Sequence, residues 1–246
     1  MNQPDDAVPP GISVRQLCLT LGQQQLFSEL NLEIAGGAFT ALLGASGVGK
    51  SSLMRVIAGL TPPTSGQING SDGLPLTGRI AWMGQQDLLY PWLTVEQNVC
   101  LASRLKGEKA DRDWAHHLLE RVGLSKYARA RPATLSGGMR QRAALARTLF
   151  TRQPIVLMDE PFSALDALTR AQIQTLAAEV LVGHTVLLIT HDAAEACRLS
   201  HHMLVIGSAG IEACPPLQGQ PPRAADDIRV LQSQAALLKQ LSGIAG

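Results

Sequence analysis

The chain has 246 residues, 46% of them hydrophobic and 17% charged, which excludes a disordered protein and leaves room for a large core. Its 21 Lys and Arg are balanced by 20 Asp and Glu, a net charge of +1, so no overall field draws it to nucleic acid. Cys18, Cys100, Cys197 and Cys214 form no Cys-x-x-Cys pair, which argues against a zinc module or a disulfide scaffold and for a reducing cytosol.

Near the start, Asp5, Asp6 and three prolines stand where a secretory signal would carry a basic stretch and then an apolar one, so export by that route is not expected. No uncharged apolar run approaches the roughly 18 residues needed to cross a bilayer, so any membrane role is expected to come through a partner. The first strong element is the run Phe39 to Leu43, read as a buried strand. A Gly-rich loop follows it, and then Leu53, Val56, Ile57 and Leu60 recur at the i, i+3, i+4, i+7 spacing of a helix with one buried face. Thr61-Pro62-Pro63 is expected to end that helix, because proline has no amide proton and restricts the residue before it. Thr64 to Gly78 is rich in turn residues and is read as turns.

From Gln86 to Phe150 the pattern is helical, including Trp114 to Val122 and Met139 to Phe150, and is read as an inserted helical lobe. Strand signals resume at Ile155 to Met158 and Thr185 to Thr190, with a helical stretch from Ala167 to Val182 between them. That is a βαβ crossover and implies a parallel sheet, so the fold class is α/β. A further strand is expected at Met203 to Ile206, then a Pro-rich connector from Cys214 to Pro222 and a helix from Asp226 to Leu241.

Gly44-Ala45-Ser46-Gly47-Val48-Gly49-Lys50-Ser51, followed by Ser52, matches the phosphate-binding P-loop in full and lies between a strand and a helix as the motif requires. Glycines let backbone N–H groups turn inward around phosphates, and the helix N-terminus adds its dipole. Lys50 would neutralise the β- and γ-phosphates of ATP, and Ser51 would hold Mg2+. Ile155 to Glu160 is an apolar strand ending in two carboxylates, at the end where open α/β sheets bind ligands. Asp159 is placed to bind Mg2+ through water and Glu160 to polarise the attacking water.

Leu135-Ser136-Gly137-Gly138-Met139-Arg140-Gln141-Arg142 puts a second Gly pair at the start of a second helix. One nucleotide cannot easily use both such helix N-termini, so a head-to-tail dimer is expected, in which Ser136, Gly137 and Gly138 of one copy close over the γ-phosphate held by the other. A plain helix cap by Ser136 is the alternative.

GASGVGKS, LSGGMRQR, IVLMDEP, SALD and ITHD occur in the order that resembles ATP-binding-cassette (ABC) transporter ATPases, over roughly Ile12 to Ile206. The resemblance implies a P-loop NTPase core of the RecA-like type, with an N-terminal antiparallel β region and an inserted α-helical subdomain. One ATPase domain would then cover 1–246: a nucleotide core at 11–85 and 151–210, a helical signature subdomain at 86–150 and a tail at 211–246. It also implies that Gln85, with Gln86 as its rival, senses Mg2+ and the γ-phosphate and contacts the membrane partner. Ser163-Ala164-Leu165-Asp166 would be the loop through which two copies communicate, and His191 the switch histidine at the γ-phosphate.

The implied partners are a second ATPase subunit, taken as another copy of this chain, transmembrane permease subunits and a periplasmic or extracellular solute-binding protein. The implied place is the cytoplasmic face of the inner membrane. The segment DGLPLTGRIAWMGQQDLLYPWLTV is similar to importers of sulfonate, taurine or nitrate, or of hydroxymethylpyrimidine thiamine precursors, and Met139 in the signature points to the first group. Export and nucleic-acid remodelling are the rival ABC functions. Remodelling ATPases carry a long arm or zinc insertion, whereas only 86 positions separate Gly49 from Leu135.

One position departs from the family: Leu21 stands where an aromatic ring usually stacks on adenine. Phe27 is a ring that could compensate, with core packing as its alternative. Tyr90-Pro91-Trp92-Leu93 is read as an aromatic loop that docks a membrane-domain helix, with core packing as its alternative. Arg140, Arg142 and Arg147 are expected to pair with acids, and the pairs His116-His117 and His201-His202 lack ligand spacing for a metal.

Overall fold

The computed structural model describes residues 8–207 and 210–244; Asp5 and Asp6, on which the reading of the N-terminal segment rested, lie outside them. In chain order the elements are β1 (Ile12–Leu21), β2 (Gln24–Ile34), β3 (Phe39–Gly44), α1 (Lys50–Ile57), β4 (Ser65–Gly70), β5 (Ile80–Met83), α2 (Val95–Val99), α3 (Leu101–Lys106) and α4 (Arg112–Arg121). They continue with α5 (Gly137–Phe150), β6 (Ile155–Asp159), α6 (Ala167–Val180), β7 (Thr185–Ile189), α7 (Ala193–Leu199), β8 (His202–Gly207), β9 (Gly210–Ala213) and α8 (Ile228–Ile244).

Two sheets result. One is antiparallel with strand order β2-β1-β4, and the other has the order β5-β6-β7-β3-β8-β9. In the second, β5, β6, β7, β3 and β8 run parallel and only β9 is antiparallel, as a hairpin with β8. The βαβ crossover read from the sequence is β6-α6-β7, and these strands pair directly, Ile155 opposite Thr185 and Asp159 opposite Ile189.

Side chains alternate across a strand, so a sheet covered on both faces reads as an unbroken apolar run. Ile155, Leu157, Leu187 and Ile189 pack with Leu53, Val56 and Ile57 of α1 and with the antiparallel sheet. Their neighbours Val156, Met158, Val186 and Leu188 face the other way, against Val99, Leu118, Leu119, Leu145 and Leu149 of the helical segment. The helical segment thus shares its core with one face of the sheet. A third cluster joins Ala41 and Leu43 of β3 to Ala196 and Cys197 of α7 and to Val230 and Leu237 of α8.

Some elements differ from the sequence reading. Helix α1 ends before the prolines: Gly59, at φ +71°, takes the left-handed conformation, and the N–H groups of Gly59 and Leu60 return to the carbonyls of Val56 and Arg55. This glycine-based stop leaves Leu60 exposed instead of on the buried face. The turn-rich stretch holds a strand, β4, which pairs with β1. Helix α7 and strand β9 are further elements that no pattern announced. The four cysteines are free thiols, and among the described residues no helix is long and apolar enough to cross a membrane.

Candidate functional site

Because β5, β6, β7 and β3 are parallel, their C-terminal ends open on one edge of the sheet, the edge at which open α/β sheets gather ligands. Gly44 ends β3, Asp159 ends β6, Thr190 and His191 follow β7, and Gly84 and Gln85 follow β5. Residues far apart in sequence therefore meet at this edge.

At the P-loop, Gly44, Gly47 and Gly49 have φ of +155°, +80° and +103°, conformations that glycine alone adopts without strain. Ala45, Ser46 and Gly47 are exposed, Val48 and Ser52 half-buried, and Ser51 exposed on the first turn of α1. A Cβ on Gly49 would lie 2.8 Å from the Phe27 ring. Phe27 is buried in the core against the loop, so packing, not base stacking, is its place. Leu21, at the β1–β2 hairpin, is 45% exposed.

Lys50 is buried and its ammonium donates to the carbonyls of Gly44 at 2.8 Å and Ala45 at 2.9 Å. Burial draws its pKa below the usual lysine value, and the nearby Glu160 and Asp159 charges oppose that. Asp159 is buried too; burial pushes its carboxyl up, a hydrogen bond from Ser51 opposes this, and Glu160 adds to the rise. A hydroxyl, a carboxylate and an amide oxygen from Ser51, Asp159 and Gln85 are hard donors that suit Mg2+.

Glu160 sits at φ +48°, a strained backbone for a side chain of this size. Its N–H donates to the Ile189 carbonyl at 2.9 Å, and the Ser163 hydroxyl donates to its carbonyl at 3.0 Å. Thus pinned, the carboxylate takes a hydrogen bond from Gln85 Nε2 to Oε2 at 3.2 Å and lies 3.2 Å from His191 Nδ1 through Oε1. The bond comes from Gln85; Gln85 and its rival Gln86 are both exposed.

Ser136 caps α5, its hydroxyl accepting the Met139 N–H at 3.3 Å, and both Ser136 and Gly137 are exposed. Gly138 lies against the Ala164-Leu165 backbone and side chain, so the signature turn and the Ser163–Asp166 loop adjoin within one chain. Asp166 caps α6 through Thr169.

Several supporting residues were not read from the sequence. Gln141 Nε2 donates to the Pro161 carbonyl at 2.9 Å in a buried setting. Asn98, fully buried, accepts the Tyr90 N–H at 2.7 Å and donates to the Tyr90 and Thr94 carbonyls, fixing the loop after Gln85. Arg140 pairs with Asp87 at 2.9 Å as expected of an acid partner. Arg142 and Arg147 instead serve carbonyls, those of Val122 and of Asp87 and Leu88. Tyr90 and Trp92 are exposed and meet edge-on, ring centroids 5.2 Å apart. The histidine pairs take up separate contacts: His116 with Glu96, His117 on the Trp114 ring, and His201 with the Phe39 N–H.

The family model for the ABC transporter matches residues 27–163. The chain belongs to the ABC transporter ATPase family. An uncharacterized ABC transporter ATP-binding protein of Haemophilus influenzae is 41% identical over 239 residues, 94% of this chain and 99% of the relative. An aliphatic sulfonates import ATP-binding protein, SsuB 2, of Pseudomonas syringae pv. tomato is 42% identical, covering 87% of this chain and 90% of that one. Among solved structures, the dimeric post-hydrolysis state of the ATP-binding cassette MJ0796 bound to ADP and Pi is similar. It has a TM-score of 0.75 and 30% identity, over 85% of this chain and all of that one. This ABC chain is therefore an ATP-binding, ATP-hydrolysing subunit on the α/β P-loop fold, and the antiparallel β region implied by the resemblance is the β2-β1-β4 sheet.

Proposed function

We propose that the chain powers import of a small organic sulfonate or a related small anion, working as one of two copies that close on ATP. The observation that carries the catalytic part is the convergence of Gln85 and His191 on Glu160, beside buried Lys50 and Asp159. In this reading the amides of Gly44 to Ser52 hold the phosphates, and Lys50 offsets their charge. Glu160 accepts a proton from the attacking water, while Gln85 and His191 orient its carboxylate. Ser51, Asp159 and Gln85 would hold Mg2+, which supplies charge neutralisation at the β- and γ-phosphate oxygens. Leu21 lies beside the base without stacking on it.

Ser136, Gly137 and Gly138 of a second copy close the pocket, a role supported by the exposure of Ser136 and Gly137. The exposed Tyr90 and Trp92 pair supports docking of a permease next to Gln85. In this arrangement 1–246 acts as one ATPase unit, with 86–150 as the signature lobe and 211–246 as a tail. It sits at the cytoplasmic face of the inner membrane through its permease, and a solute-binding protein delivers the cargo. No nucleic acid takes part.

The solute class rests on the relatives named for aliphatic sulfonate import. A strain lacking this chain should lose growth on an aliphatic sulfonate as sole sulfur source and keep growth on sulfate. Unimpaired sulfonate uptake would overturn the solute while leaving the ATPase reading standing.

A further inference from the structure

His191 is exposed, yet the residues on either side of it are tied down. The Thr190 hydroxyl accepts the Asp192 N–H at 3.0 Å and itself donates to the Glu195 carboxylate. Asp192 in turn caps α7 through the N–H groups of Ala194 at 2.8 Å and Glu195 at 3.3 Å. Thr190 is 1% and Glu195 6% exposed, so water hardly competes for these bonds. Gln174 of α6, Arg170 and Asp192 neighbour the Glu195 carboxyl, whose other oxygen, Oε1, is buried without a hydrogen-bond partner among the described residues. Arg170 and Asp192 approach to 3.7 Å.

In sequence, Glu195 stands three residues after a cap residue, where an acid would normally reach back to the helix start. Here it turns inward instead. A buried carboxylate costs stability that an apolar side chain of similar size would not, so fold stability alone does not account for an acid at this place.

We propose that Glu195 is a positioning residue: through the Thr190 hydroxyl it fixes the turn that presents His191 to Glu160. This rests on the role given to His191 above. The clamp closes over the peptide of Thr190, His191 and Asp192, so removing either end of the Thr190–Glu195 bond lets the histidine drift without touching ATP or Glu160. Misplacement of a reacting group by about 1 Å can cost on the order of a hundredfold in rate.

The test is steady-state hydrolysis of ATP by the full chain bearing Thr190→Val, which keeps the side-chain volume, or Glu195→Leu, which removes the acceptor. Each should lower kcat about ten- to a hundredfold while KM for ATP stays within about twofold. Thr190→Ser, which retains the hydroxyl, should keep kcat within about threefold. In a His191→Ala background, Thr190→Val should lower the remaining rate no further, because both changes remove the same contribution. Parental kcat in Thr190→Val alongside an impaired His191→Ala would overturn the clamp. So would a Thr190→Val loss that multiplies with that of His191→Ala. A parental rate in His191→Ala itself would overturn the role of the histidine and the clamp together, and is distinguished by that single variant.

Discussion

His191 Nδ1 lies 3.2 Å from Glu160 Oε1, so the two oxygens of one carboxylate are divided between two residues, the other being held by Gln85. Both contacts orient the group and neither consumes its capacity to take a proton. Glu160→Gln keeps the shape and removes the basicity. Turnover should fall roughly 10²- to 10⁴-fold with ATP binding retained and a dimer trapped in its presence, as followed by phosphate release and by gel filtration. Hydrolysis at the parental rate would show that Glu160 is not the base.

A second expectation concerns Gly49. At φ +103°, and with a Cβ that would stand 2.8 Å from the Phe27 ring, alanine here meets both backbone strain and a steric clash. The strain alone is about 1–3 kcal/mol. Gly49→Ala should lower the melting temperature by several degrees and weaken nucleotide binding; adding Phe27→Leu should recover only the part due to the clash. Full recovery would mean that the left-handed backbone costs nothing at this position.

At Leu21 an exposed aliphatic side chain occupies the β1–β2 hairpin, which the proposed function sets beside the base. Base–aromatic stacking is worth about 1–3 kcal/mol, and about 1.4 kcal/mol is a factor of ten. Leu21→Tyr should therefore tighten ATP binding by about tenfold in a fluorescent-nucleotide titration. An unchanged Kd would mean that the hairpin does not reach the base.

Glu195 makes stability depend on pH in an unusual direction. Burial pushes its carboxyl up from 4.5 to about 7, against the opposing hydrogen bond from Thr190. Asp192 adds to the rise, and Arg170 and Gln174 oppose it. Between these values the folded chain holds a proton that the unfolded chain has released. The group's contribution is thus complete below 4.5 and is lost as pH rises through about 7. Glu195→Gln is neutral throughout. It should melt above the parent at pH 8 by the equivalent of up to about 3 kcal/mol, and the gap should close towards pH 4.5. A gap independent of pH would mean that the carboxyl is ionised in the fold at neutral pH.

The parallel core was legible because its strands are buried on both faces: β6 and β7 are unbroken apolar runs, and the P-loop announces the strand before it and the helix after it. The antiparallel sheet was not. Gln16 and Glu29 have φ of +48° and +52°, marking irregular backbone in β1 and β2 that interrupts the alternation a strand would display. Strand β4, Ser-Gly-Gln-Ile-Asn-Gly, is half exposed and carries two glycines, so its composition reads as turn while its pairing with β1 makes it strand. Helix α7 is only seven residues long and largely buried, too short to show a period.

The site residues carried by motifs were visible one by one, but not the contacts that hold them. Gln141 looked like a polar residue on a signature helix; its bond to Pro161 depends on α5 lying against the turn that follows β6. Glu195 carries a signal that the sequence reading did not use, an acid three positions beyond Asp192. By itself that pattern is a helix cap's, and only the buried bond from Thr190 shows what the side chain serves.

The Gln141–Pro161 bond gives the molecule a lever. Pro161 directly follows Glu160, and Gln141 lies one turn from Ser136 and Gly138 on a helix rooted in the lobe. Swinging the lobe away from the sheet must either rupture this bond or pull on the backbone that aims the carboxylate. In the proposed pair of copies, what a chain lends to its neighbour's pocket is thus mechanically geared to what it keeps for its own.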